Sequence, residues 1–266
     1  MPEIAKADPD QTFQTILASA AQLPGVNIDR SKYLAGALKG HFSPEVIELA
    51  IETSPAAAGI RAEQLSAIAD ASIRYETAKV TGLSALSGIP GGIAMAGTVP
   101  ADLAQYFAHV LRISQKLSYL YGWESIFEGD EEEMDDEAKN LLILFIGVMF
   151  GANGATDAIA KISQSAAKAA AKRISQKALT KGVVYPIVKQ VAKYLGVQMT
   201  KDIFAKGVAK AIPVIGAVIS GGVTLATYAP MSLKLKDYLA SLEIADPDRF
   251  IEVEAEVIEI DKSFEE

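Results

Sequence analysis

The amino-acid sequence predicts an all-α protein, a compact multi-helix domain of about ten helices with two glycine-rich apolar hairpins at its centre. Alanine-rich and leucine-rich windows with helical periodicity fill most of the chain, and residues that cap or break helices separate them. Alternating strand patterns are nearly absent. Half of the 266 residues are hydrophobic, which is enough for one large core or for two closely packed ones.

The first helices are marked by the residues that begin and end them. One helix is expected near the N-terminus, ending before Pro24-Gly25, and a second from Asp29 to Gly40. Ser43 then starts a third helix, because its hydroxyl suits an N-cap and a proline and a glutamate follow it. The next helix is predicted from about Arg61 to Lys79 or beyond, since one face carries Leu65, Ile68, Ala69 and Ile73.

Further helices are expected after residue 100. A mostly buried helix is predicted at 102–121, and Gly122 ends it. The apolar run 141–151 is shorter than the roughly 18 residues of a membrane span, so a buried core helix is expected there. Residues 157–181 are rich in alanine and lysine and predict a surface helix, and 183–195 has the spacing of another helix.

Two long charge-free, glycine-rich stretches interrupt this pattern, at Val80–Ala101 and Ala211–Leu233. The residues assigned to packing within them are Pro90, Gly91, Gly92, Pro100, Pro213, Gly216, Gly221 and Gly222. In a protein core, such glycines let backbones approach closely. In a membrane, small residues permit tight helix contacts and a proline forms the bend of a shallow hairpin. The internal prolines and clustered glycines favour the core, but both interpretations stay open.

Charge is strongly segregated along the chain, whose formal net charge is −8. Residues 124–137 hold nine acids and no base, 157–210 hold eleven bases and two acids, and 243–266 hold ten acids and two bases. This segregation indicates either internal neutralisation or a basic surface that faces an anionic partner.

The same pattern suggests how the chain is divided. Residues 1–42 are assigned to an N-terminal helical extension and 43–241 to the helical domain, which includes an acidic linker (124–137) and a basic segment (157–210). Residues 242–266 are assigned to an acidic C-terminal tail, which we expect to be flexible.

The composition excludes several kinds of site. The chain has no cysteine, so it forms no disulfide, thiolate metal site or cysteine nucleophile. Its two histidines, His41 and His109, lie in separate segments, and motifs for metal binding, phosphate loops or serine nucleophiles are missing. We predict no metal site and no cofactor, and no catalytic residue can be named. The N-terminal sequence carries no signal core, which favours a cytoplasmic protein.

A polar stripe on the predicted helix 102–121 is the sharpest candidate for a functional site. Its members are separated by three and four residues on an otherwise apolar helix: Asp102, Gln105, His109, Arg112 and Lys116. In one interpretation the stripe is the solvent-facing edge of the helix. In the other it lines a cleft, where His109 and Arg112 bind an anionic headgroup or Asp102 pairs with a base from another helix.

Several short runs follow one another in a characteristic order. IPGG at residues 89–92 precedes TVPADLAQY at 98–106 and LYGW at 120–123, and IPVIG at 212–216 comes later with a glycine pair. In this order the chain resembles the bacterial EcsC family, from roughly Ser43 to Leu239. The family is named for a gene beside components of an ABC transporter, and its biochemical activity is unassigned. The resemblance implies an EcsC-like helical domain and a link to ABC transport.

The basic segment supplies candidate contacts to an anionic surface: Lys161, Lys168, Lys172, Arg173, Lys177 and Lys181. Each basic residue near an anionic bilayer contributes roughly 1 kcal/mol. The overall acidity and the scarcity of aromatic residues among these lysines argue against nucleic acid as a partner.

Three functional hypotheses follow. The first is a non-enzymatic cytoplasmic accessory protein that acts at or near the inner membrane, peripherally, with an anionic lipid surface or a membrane protein as its partner. The second is a soluble enzyme or an anionic-ligand-binding protein that uses the polar stripe. The third is a helical scaffold that binds protein partners through the acidic segments.

Overall fold

A computed structural model describes residues 9–86, 101–127, 134–169, 184–200 and 221–249. These residues form an all-helical, compact domain without a strand, as the sequence predicts; an isolated bridge joins Lys39 to Phe42. The described helices are α1 (Pro9–Ala21), α2 (Arg30–Leu38), α3 (Pro44–Glu52), α4 (Ala62–Leu86), α5 (Ala101–Leu120), α6 (Asp136–Phe150), α7 (Ala155–Ala169), α8 (Tyr185–Thr200) and α9 (Gly221–Ala240), followed by a 3₁₀ turn at Glu243–Ala245.

Local capping explains where several helices begin and end. The side chain of Asp29 accepts a hydrogen bond from the Lys32 amide at 2.9 Å and caps α2, as predicted. Ser43 caps α3 in the same way. The chain leaves α5 through Gly122, whose φ of +92° favours glycine.

The glycine-rich stretches are described only in part. The first begins inside α4, which continues to Leu86, and the second ends inside α9, which begins at Gly221-Gly222. Pro90, Gly91, Gly92, Pro100, Pro213 and Gly216 lie outside the described residues, as do residues 87–100 and 211–220 of the two predicted hairpins.

Aromatic side chains form the centre of the core. Phe107 of α5 packs edge-on against Phe13 of α1 at 5.8 Å and stacks on Phe150 of α6 at 6.2 Å between ring centroids. Trp123 packs edge-on against Phe145 at 5.1 Å. The helix α6 is buried from Leu141 to Met149, which confirms the predicted core helix.

The N-terminal residues are part of this core and do not form a separate extension. Phe13 and Leu17 of α1 and Leu34 and Leu38 of α2 are fully buried. Their apolar faces are covered by α5 and α8, so the described part of the predicted extension, residues 1–42, packs on the rest of the domain.

The first residues of the predicted tail, 242–249, are described and pack on the domain. Leu242, Ile244 and Ala245 are buried, and the Ile244 amide donates to Ser163 Oγ of α7 at 3.2 Å. A Cβ built on Gly122 would lie 2.6 Å from the Ile244 carbonyl oxygen, so the segment packs directly on that turn. The domain therefore extends at least to residue 249, and 250–266 lie outside the described residues.

The helices α4, α5 and α9 form the part of the domain that positions the candidate site. Tyr33 contacts Ser72 of α4 and Lys116 of α5, whereas Glu76 contacts His109, so α4 and α5 are antiparallel. Along α9, Lys236 binds Asp70 and Tyr228 reaches the His109 carbonyl, so α9 is antiparallel to α4 as well.

This arrangement brings the ends of these three helices together. At 1.5 Å per residue, α4 continues about 15 Å beyond Glu76 to Leu86, α5 begins about 12 Å before His109 at Ala101, and α9 begins about 10 Å before Tyr228 at Gly221. The helix ends on both sides of residues 87–100, and the helix end that follows residues 201–220, therefore lie on one side of the domain.

The last turn of α8 lies on the same side. The helix α1 runs parallel to α5, because Phe13 contacts Phe107 and the Val26 carbonyl accepts from Gln115. Pro9 therefore lies toward the start of α5, and Gly196 of α8 packs against the Pro9 backbone. We call the side of the domain that carries Leu86, Ala101, Thr200 and Gly221 the convergent end.

Candidate functional site

The structure buries two of the five members of the predicted polar stripe. His109 and Lys116 are buried, Arg112 is partly buried and Gln105 is exposed. The side chain of Asp102 lies outside the described residues. The interpretation of the stripe as a solvent-facing edge is therefore wrong for His109 and Lys116, because α4 covers them.

A carboxylate of α4, Glu76, binds all three basic members of the stripe. It is fully buried, with Oε2 at 3.1 Å from His109 Nδ1 and Oε1 at 2.5 Å from Lys116 Nζ. Arg112 Nε lies 3.2 Å from Oε2, and its Nη2 lies 3.3 Å from Oε1. The hydrogen bond to His109 requires the tautomer with a proton on Nδ1.

Glu76 is not among the predicted site residues, although the sequence contains a signal for it. The residues of α4 assigned to its apolar face end at Ile73, and the next positions at the same spacing are Glu76 and Val80. An acid at a core position needs a basic partner on a neighbouring helix. The polar stripe on the following helix supplies three.

The environment of Glu76 keeps it ionised. Burial alone would raise the pKa of its carboxyl group, but the hydrogen bonds with His109, Lys116 and Arg112 outweigh burial and lower the pKa to about 2. A carboxylate with this pKa, without access to solvent, is a poor general base near neutral pH. The geometry therefore does not favour acid–base catalysis by Glu76.

Stability is expected to fall in acid because of this group. An unfolded glutamate has a pKa of about 4.5, so between about pH 4.5 and pH 2 the unfolded chain binds a proton that the folded chain does not. The contribution, about 3 kcal/mol, is complete above about pH 5 and is lost as the pH falls toward 2. Urea unfolding from about pH 6 to pH 3 measures it, and Glu76→Gln should show a shallower pH dependence. Equal slopes would contradict the prediction.

The basic side chains have further contacts around this carboxylate. Lys116 Nζ lies 5.8 Å from the ring centroid of Tyr33 and 4.9 Å from that of Tyr75. The carbonyl of His109 accepts a hydrogen bond from the Tyr228 hydroxyl at 2.8 Å. The cluster thus joins α2, α4, α5 and α9.

Most of the other predicted site residues lie outside this cluster. Lys161 is exposed on α7, as a contact to an anionic surface requires. The side chain of Lys168 and the residues Lys172, Arg173, Lys177 and Lys181 lie outside the described residues. Among the residues that the structure describes, no group of three or more His, Asp or Glu side chains is placed to hold a metal ion.

No protein-family model, no curated protein and no solved structure matches this chain. The resemblance to the EcsC family stays a prediction from the motifs. Across the described part of the chain, none of the helices combines the length and apolar character needed to cross a membrane.

Proposed function

We propose that this chain is a non-enzymatic accessory protein that acts peripherally at the cytoplasmic face of the inner membrane. The observation that carries the proposal is the convergent end. Residues 87–100 and 211–220 contain no charged side chain, and the described helix ends before and after 87–100, like those before and after 201–220, lie on one side of the domain. The described chain therefore enters and leaves both regions on a single side, where one membrane contact would involve both uncharged segments.

The exposed face of α8 supports the same partner. This helix contains no acidic residue, and its exposed side chains include Tyr185, Lys189, Lys193 and Tyr194. The two tyrosines are 45% and 37% exposed, and Lys189 Nζ lies 5.0 Å from the Tyr185 ring. Tyrosine and lysine together suit the headgroup region of a bilayer, because each has an apolar body and a polar end.

The remaining support comes from the candidate site and from the motifs. Glu76 is shielded from solvent and has a pKa too low for a general base, which favours a role without catalysis. The resemblance to the EcsC family suggests an ABC transporter as the membrane protein that this chain assists.

Flotation with liposomes tests the proposal. The full-length protein should float with anionic vesicles at low salt. The double variant Lys189→Gln, Lys193→Gln should bind at least tenfold more weakly, since each lysine near anionic lipid contributes roughly 1 kcal/mol. High salt should weaken attachment by lysines much more than insertion of the uncharged segments.

A matched control removes the same charge elsewhere. Lys32 on α2 and Lys39, directly after it, are both exposed, so Lys32→Gln, Lys39→Gln should leave flotation nearly unchanged. Equal losses in the two double variants would contradict the assignment to α8. Failure of the unmodified protein to float at low salt would overturn the membrane proposal.

A further inference from the structure

The side chains around Glu76 carry more positive charge than the single Glu76 carboxylate neutralises. Arg112 and Lys116 are permanent cations near neutral pH, and both bind the same single carboxylate. Lys79, one turn after Glu76 on α4, adds a third cation on the outer side. Three cations and one carboxylate leave two positive charges at this place, in a protein whose overall charge is −8. Such an excess beside a buried site favours a bound anion.

The two lysines meet at one exposed ring. Lys79 Nζ lies 4.6 Å and Lys116 Nζ 4.9 Å from the ring centroid of Tyr75. Tyr75 is 53% exposed, so this ring lies beside the buried Lys116 ammonium while much of its own surface faces solvent. The hydrogen bond from Lys79, with the charges of both lysines, lowers the pKa of the Tyr75 hydroxyl, which shows the positive potential there.

Arg112 contributes a further donor on the solvent side. Its Nε and Nη2 bind Glu76, and its side chain remains 18% exposed. The remaining nitrogen, Nη1, lies against the exposed turn between α1 and α2, where a Cβ built on Gly25 would be 3.3 Å away. Gln115 of α5 holds this turn by binding the Ile28 amide and the Val26 carbonyl, each at 2.9 Å.

We propose that Lys79, Lys116 and Arg112 form a binding site for a phosphate monoester, at the edge where Tyr75 covers α5. Two unneutralised positive charges match the charge of the phosphate dianion, and guanidinium and ammonium groups are its usual donors. Movement of the Tyr75 ring exposes Lys116, and the tyrosine hydroxyl supplies another donor. The site does not depend on the membrane contact at α8, because the phosphate is either a free small molecule or a lipid headgroup.

Phosphate binding to the full-length protein tests the site. Thermal unfolding is followed as sodium phosphate replaces sodium chloride at constant ionic strength, and a bound anion raises the transition temperature. Lys79→Gln should weaken binding about fivefold or more, because a charged donor is lost. Lys79 is exposed, so this variant should fold. Arg74→Gln removes one positive charge from an exposed position of the same helix and should bind phosphate like the unmodified protein.

A second arm distinguishes the two sources of the phosphate. Vesicles that contain phosphatidic acid are compared with phosphatidylserine vesicles of equal surface charge. If free phosphate binds, and Lys79→Gln weakens this binding while Arg74→Gln preserves it, the site is supported with a soluble molecule as its ligand. If the protein prefers phosphatidic acid vesicles, Lys79→Gln weakens this preference, Arg74→Gln preserves it and free phosphate does not bind, the site is supported with a lipid headgroup as its ligand. Equal losses in both variants, or no phosphate-specific effect in either arm, would overturn the proposal even if the protein binds anionic vesicles through α8.

Discussion

Replacing Glu76 with glutamine is expected to lower the free energy of unfolding by about 3–5 kcal/mol. The variant keeps the size of the side chain but removes the carboxylate that Arg112 and Lys116 share. Both cations are largely shielded from solvent, with side-chain exposures of 18% and 9%. They would remain buried without a neutralising partner, which costs more than the loss of hydrogen bonds between neutral groups. Urea unfolding at neutral pH measures the change.

Two further variants separate this electrostatic effect from a general effect of changing α4. Glu63 is exposed in the first turn of the same helix, and Glu63→Gln should cost less than about 1 kcal/mol. Adding Lys116→Met to Glu76→Gln removes one stranded cation and should recover part of the lost stability. A loss below about 1 kcal/mol for Glu76→Gln alone would show that the cluster is not a stabilising element.

Sequence patterns predicted the helices well where local residues determine them. The caps at Asp29 and Ser43 and the end of α5 before Gly122 depend on neighbours within a few positions. The apolar runs of α5 and α6 also predict that these helices are buried, because a helix with so few polar positions has little polar surface to expose to solvent.

The burial of the polar stripe depends on a distant residue and was harder to predict. Glu76 precedes His109 by 33 positions and Lys116 by 40. A line of basic residues on an apolar helix fits a solvent-facing edge as well as an internal ion cluster. The sequence distinguishes these two arrangements only if the acid on the apolar face of α4 is noticed. Even then, one must know that α4 packs against α5.

The predicted start of the C-terminal tail, at residue 242, also depends on packing that local sequence does not report. The tail boundary was placed where charge changes, but Leu242 and Ile244 are buried, while the acids Asp246 and Asp248 that follow them stay exposed. Asp248 binds Arg61 at the start of α4 at 3.0 Å. A high density of acids therefore did not indicate a detached segment, because the acids lie on the outer side of a packed turn.

Replacing Arg30 with lysine is the second change with a large expected effect, a loss of about 3 kcal/mol. The buried guanidinium of Arg30 donates to the Trp123 carbonyl at 3.1 Å and to three carbonyls at the end of α3, those of Ala50, Ile51 and Thr53, at 2.7 to 3.2 Å. These are carbonyls that a helix end leaves without partners. A lysine keeps the charge, but its single ammonium cannot donate in both directions as a planar fork does.

The result of Arg30→Lys also decides how α2, α3 and the turn after α5 are held together. Arg61→Lys is the matched control, because Arg61 binds Asp248 through two nitrogens at 3.0 Å but both side chains are exposed, so the urea midpoint should change little. Hydrogen exchange should show faster opening of α3 in Arg30→Lys and unchanged protection in Arg61→Lys. If Arg30→Lys unfolds at the same urea concentration as the unmodified protein, the four carbonyls are stabilised by other means. If Arg30→Lys unfolds at a lower urea concentration, one arginine at the start of α2 fixes the position of three chain segments that are distant in sequence.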